Sequence, residues 1–398
     1  MGVVSPCGTT VEAFFANLIA ARSGISRVPA EIAPAPSAFV AGQVRDVDMA
    51  AAEALPLDRA TVFALMAVRQ AVSDAAIDFD EETAQDAGVY WGTGLGGATS
   101  LEDSYRSLFT TARGRVRPAT VVLSMTNAAA AHISMTYGIR GPILNFSTAC
   151  SSSAASIGEA CRAIRQGAAD VVIAGGSEAL LTLGNLRAWE SMRALARPDA
   201  VEPSRSCKPF SADRTGVVLS EGAAALILES REHAERRGAR VLAEVAGYGN
   251  AGDASHIAQP DAAGQVRAMR RALADAGMTP GDIGYVNAHG TATLVGDVIE
   301  TEALKQVFGA GARSCPVSST KAMHGHLVGA SGALEAIVAV MALRTGIVPP
   351  TAHLDRADPA CDLDYVPNTA REIRIGAAMS NSFGFGGMNA VLIVRPCG

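Results

Sequence analysis

Residues Pro142–Gly158 read Pro-Ile-Leu-Asn-Phe-Ser-Thr-Ala-Cys-Ser-Ser-Ser-Ala-Ala-Ser-Ile-Gly. The run passes from an apolar, strand-like segment through small residues into a helix-like one, with Cys150 at the passage. The helix reads over Ser152–Gln166, with Ala, Ile and Cys161 on one face and Glu159, Arg162 and Arg165 on the other. Val171–Ala174 then reads as a buried strand, ended by a tight turn at Gly175–Gly176. Strand, helix and strand at this spacing argue for α/β layers. Further out, helical periodicity covers Thr61–Ala76, Gln265–Ala276, Asp297–Phe308 and Ala333–Leu343, and Ala224–Glu229 and Ala390–Val394 read as strands. A coarse duplication emerges. Pro316–Ser319 leads through Lys321–Gly325 into the Ala333–Leu343 helix, much as the strand before Cys150 leads into its own helix. Leu242–Gly252 reads as the junction of the halves. Leu101–Val122 and Arg193–Val218 read as long polar connections of the covering or dimer-facing kind.

The chain has 398 residues, 49% hydrophobic and 18% charged, enough for a large interior in two packed halves. A net charge of -6 leaves no basic footprint for nucleic acid. No apolar run is expected to reach bilayer-spanning length, and the N-terminus lacks the charged and apolar regions of a signal peptide. The 7 cysteines are scattered, without a CxxC pair, which fits a reducing cytoplasm.

Cys150 sits where a helix N-terminus would stabilise a thiolate, and its small neighbours let a substrate approach the sulfur. For an arbitrary cysteine a buried structural thiol is the commoner outcome, and mid-helix Cys161 fits that description. His289 lies in Asn-Ala-His-Gly-Thr-Ala-Thr after the strand-like Ile283–Val286; alone it could equally be a core histidine. Asp297 and Glu300 follow as acids suited to a helix start. Lys321, His324 and His326 crowd one Gly-containing turn, which is costly in a core unless they face a polar site, and Glu335 could accept a charge-assisted hydrogen bond from them. Zinc on His324 and His326 with Cys150 or Asp297 is the competing reading, opposed by the charge of Lys321 and by the absence of an HExxH pattern. The run Ser380–Asn389, Ser-Asn-Ser-Phe-Gly-Phe-Gly-Gly-Met-Asn, suits backbone N–H groups presented to an oxyanion with a phenylalanine as a movable cover.

Cys150 in Ser-Thr-Ala-Cys-Ser-Ser, His289 in Asn-Ala-His-Gly-Thr, Lys321 with His326 in Ser-Thr-Lys…Gly-His, and Asn-Ser-Phe-Gly-Phe-Gly-Gly together resemble the β-ketoacyl-acyl-carrier-protein synthases of the elongating I/II type. Thiolases would add a second catalytic cysteine in a CxG near the C-terminus, but Cys397 is followed at once by the terminal Gly398, so that pattern fails. Initiating synthases would carry asparagine where His326 stands.

The resemblance implies a duplicated thiolase-like α/β fold, layered α-β-α-β-α with two mixed sheets around central helices. It divides the chain into an N-terminal half, 1–241, carrying the nucleophilic cysteine, and a C-terminal half, 242–398, carrying both histidines. It implies that Cys150 takes an acyl chain from an acyl-carrier protein and that His289 and His326 activate malonyl-carrier protein, with Lys321 and Glu335 in support and no redox cofactor. Further implied roles are an oxyanion hole at the N–H groups of Cys150 and Phe385, with Phe385 also the gate, and pantetheine contacts at Thr291 and Thr293. An acyl pocket would be lined by Leu95 (from across a dimer), Trp189 and Phe383. Carrier docking would use Arg193 and the cluster Arg113, Arg115 and Arg117, and a structural cation would sit among Asn287, Glu335, Ser380 and Asn381. The implied partner is the phosphopantetheine-bearing carrier protein, and the implied assembly a homodimer or a heterodimer with a chain-length partner.

Departures from the family pattern sharpen these expectations. The family's opening central strand is mostly missing before Met1-Gly2-Val3-Val4, Met388 and Ala258 stand where threonines are common, and His324 replaces a small residue. The basic patch expected before the Asp58–Ala76 helix reads Ala-Ala-Ala-Glu-Ala-Leu-Pro over 50–56, which suggests a dedicated carrier in a polyene or polyketide pathway. Trp189 replaces a smaller aromatic, and either flattens the acyl pocket toward short, unsaturated or aryl-bearing chains or is simply core. The alternative function is a non-catalytic, chain-length-determining partner; such partners usually lose the cysteine, which this chain keeps.

Overall fold

The structure, a computed structural model, describes residues 1–398 apart from 36–37, 46, 48–56, 112–113 and 398. Numbered in chain order, the strands of its first large sheet are β1 (Gly2–Val4), β2 (Gly88–Gly92), β3 (Ile143–Phe146), β4 (Val171–Glu178) and β5 (Gly222–Glu229). Those of the second are β6 (Glu244–Gly252), β7 (Tyr285–Asn287), β8 (Val317–Ser318), β9 (Ala378–Gly384) and β10 (Met388–Arg395). The first sheet runs β1-β5-β4-β2-β3 and the second β6-β10-β9-β7-β8. Both sheets are antiparallel across their first two pairings and parallel across the last two. Each half therefore repeats one topology, strand for strand.

Strand alternation explains the layers. On β4, Val172 and Ala174 pack inward with Ile157, Leu334 and Ile337, whereas Val171 and Ile173 pack outward with Phe63, Ala67 and Ile133. On β10, Ala390 and Leu392 join the same inner cluster while Val391 and Ile393 pack outward with Val266, Met269 and Leu304. Helices Ser152–Arg165 and Ser331–Thr345 fill the middle layer; Arg59–Ala75 and Ala262–Ala276 cover the two outer faces. The Ser331–Thr345 helix is buried on nearly every side, so it carries apolar residues all round.

Several expectations change. Val328–Thr345 is, at 18 residues, long and apolar enough to cross a bilayer, contrary to the reading that no run is; most of it is buried between the sheets, which accounts for its composition. Gly175 and Gly176 lie inside β4 and do not end it. A Cβ on Gly175 would come within 2.1 Å of the Ala224 carbonyl oxygen, so glycine here permits close strand packing. Leu242–Gly252, read as the junction of the halves, is mostly strand β6, and Leu101–Thr110 belongs to the helix Ala98–Thr110. The strand at the chain's start lies at a sheet edge, not its centre, with Gly2 opposite Ala225. Residues 50–56, whose composition replaces the expected basic patch, lie outside the described residues.

Candidate active site

Two equivalent strand-to-helix passages meet at the core of the molecule. After β3, the 3-10 turn Ala149–Ser151 carries Cys150 into the Ser152–Arg165 helix, with Ala149 in the left-handed region at φ 52°. After β8, the Lys321–His324 turn and the Val328–Ala330 turn carry His326 into the Ser331–Thr345 helix. The passages touch. Ala333 N–H donates to Ser153 Oγ at 2.9 Å, and a Cβ on Gly332 would lie 2.6 Å from the Ala154 nitrogen. His326 is pinned on both sides of its backbone, its N–H donating to Val218 O at 2.7 Å and its carbonyl accepting from Ser220 N–H at 2.9 Å.

His289 arrives from the loop after β7, so one half supplies the sulfur and the other both imidazoles. Ligand atoms of Cys150, His289 and His326 all lie within 4.8 Å of one another. The imidazole rings meet edge to face, centroids 5.4 Å apart, and Phe383 abuts His289 at 5.9 Å. Nδ1 of His326 pairs with Ser331 Oγ at 2.9 Å, which leaves its buried Nε2 without a protein partner among the described residues; Nδ1 of His289 is likewise buried without one. Behind them Lys321 Nζ is bonded to Glu335 Oε1, both side chains fully buried.

Burial decides the protonation states. It pushes the Cys150 thiol up to about 12, with Lys321 and the Phe385 backbone N–H pulling the other way. Burial therefore favours the protonated thiol and works against the thiolate stabilisation expected from the helix N-terminus. Burial, then the charge of Lys321, holds both His289 and His326 well below the ordinary histidine value. Burial also raises Glu335 to about 7 against the pull of Lys321. A neutral imidazole can accept the thiol proton, or donate a hydrogen bond through a protonated nitrogen. Three donors this close could also grip a metal, but Lys321 beside them opposes a cation. The competing zinc reading gains nothing from His324, whose ring nitrogens are taken by the Gly325 carbonyl and Thr320 Oγ1 at 2.7 and 3.0 Å.

A cavity of about 370 Å³ opens onto this group, lined by Cys150, Trp189, His289, His326, Phe383 and Phe385 among others. Residues 1–234 match the family described as beta-ketoacyl synthase, N-terminal domain, and residues 242–355 match its C-terminal domain. The chain belongs to the β-ketoacyl synthase family. It is 47% identical over 348 residues to nodulation protein E of Rhizobium leguminosarum bv. trifolii, covering 87% of this chain and 85% of that one. It is 41% identical over 401 aligned positions to 3-oxoacyl-[acyl-carrier-protein] synthase 2 of Staphylococcus aureus (strain COL), covering 99% and 96%. Among solved structures, a type II polyketide synthase ketosynthase in complex with its acyl-carrier protein matches with a TM-score of 0.92 and 31% identity, over 100% of this chain and 98% of that one. The fold is thus the duplicated thiolase-like one, and the synthase is an acyl-transferring condensing enzyme.

The remaining expected residues of the synthase fall in different places. Thr291 and Thr293 line the cavity and face each other at 3.2 Å, and Arg193 stands exposed at its rim. Ala258 lines it too, whereas Met388 is exposed and outside its lining. Trp189 stacks on Phe385, centroids 5.6 Å apart at 29°. Leu95 is outside this cavity, 46% exposed. Arg115 and Arg117 are exposed away from the cavity lining, and Arg113 lies outside the described residues. Of the expected cation ligands, Asn287 and Ser380 are register partners on β7 and β9, and they and Glu335 each keep a buried oxygen without a protein partner among the described residues. Those hard oxygen donors suit a cation in kind, although the Lys321 ammonium bonded to Glu335 Oε1 already places a positive charge beside them. Asn381 lies on the other face of β9, where its Nδ2 donates to Glu300 Oε1 at 3.1 Å, and its Oδ1 is also buried without a protein partner among the described residues.

Sequence reasoning missed the carboxylates that hold the loops. Asp297 does stand in the first turn of the Gly296–Phe308 helix, as expected, but both it and Glu300 are buried. Glu300 accepts the N–H groups of His289 and Gly290 at 2.9 and 2.8 Å. Glu178 accepts those of Gly94 and Gly329 at 2.7 and 2.9 Å, tying the β2 loop to the His326 passage. A lone acid closing the apolar run of β4 was the available signal.

Proposed function

We propose that the synthase catalyses decarboxylative condensation of malonyl-carrier protein with an acyl chain held on Cys150, extending it by two carbons. The observation that carries this is the convergence of one thiol and two neutral imidazoles on a single cavity. In the first step Cys150 Sγ attacks the acyl thioester while its proton passes to a neighbouring imidazole. The new S–C bond replaces the carrier's, and the carrier thiol leaves with that proton. Malonyl-carrier protein then binds with its thioester carbonyl toward protonated nitrogens of His289 and His326. Carbon dioxide departs, and each donor stabilises the enolate by about 3 kcal/mol in this dry site. The enolate carbon attacks the acyl-Cys150 carbonyl, whose oxyanion rests on the N–H groups of Cys150 and Phe385. Collapse breaks the C–S bond, and the Cys150 thiolate takes one proton from solvent through a neighbouring imidazole, which balances the negative charge left when carbon dioxide departs. Lys321 and Glu335 hold the polar floor, and Thr291 and Thr293 meet the pantetheine arm.

The division into 1–241 and 242–398, the cation among Asn287, Glu335, Ser380 and Asn381, and carrier docking at Arg193, Arg113, Arg115 and Arg117 belong to the same reading. So does a cytoplasmic setting. Exposed Ile143 and Leu144 on edge strand β3, at 42% and 45%, support a dimer across that edge, in which Leu95 would serve the partner's pocket. A specialised polyene or polyketide pathway is the favoured setting over housekeeping fatty-acid synthesis. Intact-mass measurement with acyl-carrier proteins of several chain lengths tests the reaction. An acyl adduct present on the wild type and absent from Cys150→Ala is expected; an adduct-free wild type would point to a non-catalytic partner subunit.

A further inference from the structure

Trp189 and Phe385 form a stacked pair at the site. The indole packs against the apolar cluster that contains Cys150, Leu180, Leu186 and Val328, while Phe385 is 37% exposed on its other side. Both rings line the cavity, and the Phe385 N–H is directed at the Cys150 thiol. On the acyl-enzyme reading, an acyl chain joined to Cys150 and running along that cluster would meet the indole face that Phe385 covers. On that path the chain would displace the phenylalanine ring, and the ring-on-ring contact would be lost.

We propose that Trp189 is a specificity-determining residue, whose stacking on Phe385 admits flat conjugated or aryl acyl chains to Cys150 in preference to saturated chains of equal length. A planar π system replaces the contact that Phe385 loses; a saturated chain, puckered at every carbon, replaces only part of it. The aromatic contribution sets the preference at about two- to tenfold. This rests on the acyl-enzyme reading above and adds a role for a side chain that the reaction itself does not use.

Hexa-2,4-dienoyl- and hexanoyl-carrier proteins, equal in length, are compared for the rate of acyl transfer to Cys150 by intact mass. The wild type is expected to prefer the dienoyl chain about fivefold. Trp189→Leu should bring the ratio to about one, while Trp189→Phe, which keeps a ring and guards against a folding defect, should retain part of it. Equal rates in the wild type, or an unchanged preference in Trp189→Leu, would overturn the proposal. A second arm uses Cys150→Ala and follows tryptophan fluorescence with the two acyl-pantetheines. Trp91, the other of the chain's 2 tryptophans, is fully buried in the core, so quenching reports Trp189. Stronger quenching by the dienoyl compound is expected, and equal quenching by both would sink the clamp. No adduct from either carrier would instead refute the acyl-enzyme reading, and the fluorescence arm would still decide the role of Trp189.

Discussion

The passage after β3 and the passage after β8 occupy the same place in a duplicated topology, yet they are filled with opposite chemistry. The first is nearly all small and uncharged: Ser147 to Ala155 surround one thiol. The second buries Lys321, His324, His326 and Glu335, all at 2% exposure or less. Both keep their working groups neutral near pH 7, by opposite shifts from one cause. Burial raises the thiol to about 12 and lowers the imidazoles. A repeated fold thus supplies two helix starts aimed at one point, and side-chain choice divides the labour between nucleophile and activator.

The strongest way to break that division is to disable each passage separately. Cys150→Ala is expected to lower condensation at least about 10⁴-fold, with malonyl decarboxylation less affected. His326→Ala or His289→Ala should lower decarboxylation about 10²- to 10³-fold. Carbon dioxide release and adduct mass, measured on the same samples, separate the two steps. If Cys150→Ala stopped decarboxylation as completely as the histidine variants, the halves would not divide the work.

The next effect concerns the cost of the polar passage. Glu335→Ala strands the Lys321 charge in a fully buried site and should destabilise the fold by about 3–5 kcal/mol in urea unfolding. Lys321→Met combined with Glu335→Leu removes both charges and should recover most of that loss while activity stays low. Equal instability of the double variant would mean that the pair is held by shape, not by charge.

Legibility in the sequence follows the same contrast. The Cys150 passage, a helix with one apolar face after a short apolar run, shows its form directly, and so does the parallel between Pro316–Ser319 and its helix. Glycines misled where they serve close packing: Gly175 and Gly176 read as a turn but sit within β4. The Ser331–Thr345 helix, buried all round, has the composition of a membrane span and none of the amphipathic pattern that marks a surface helix. In the site, motif order identified the thiol and imidazoles. It could not show that Glu178 and Glu300 hold the loops, because those contacts join residues 84 and 11 positions apart through backbone N–H groups that any residue offers. Nor could it weigh burial against the helix dipole at Cys150; that balance depends on packing from Phe385 and the other half.

A smaller effect tests the contact between the passages. Gly332→Ala places a Cβ against the Ala154 backbone, which cannot move without shifting the cysteine helix. About 1–3 kcal/mol of destabilisation is expected, with condensation lowered more than the stability loss explains. Normal activity in a destabilised variant would show that the helix starts tolerate a wider separation than their contact suggests.

The smallest expected effect is in pH, and it bears directly on the opposite shifts. Acyl transfer to Cys150 needs the pair of protonated thiol and neutral imidazole. That pair persists from the depressed imidazole value up to the raised thiol value of about 12. With an ordinary histidine, the neutral fraction would fall about tenfold between pH 7.5 and 5.5. With both imidazoles held well below 6.5, the change should stay under about twofold, measured as the initial rate of adduct formation in buffers of constant ionic strength. The sign is fixed: lowering the imidazole value moves the acid limb to lower pH, and raising the thiol value moves the alkaline limb higher. An acid limb centred near 6.5 would mean that burial in the second half does not keep the imidazoles neutral, and the contrast between the two halves would fail at the group that receives the proton.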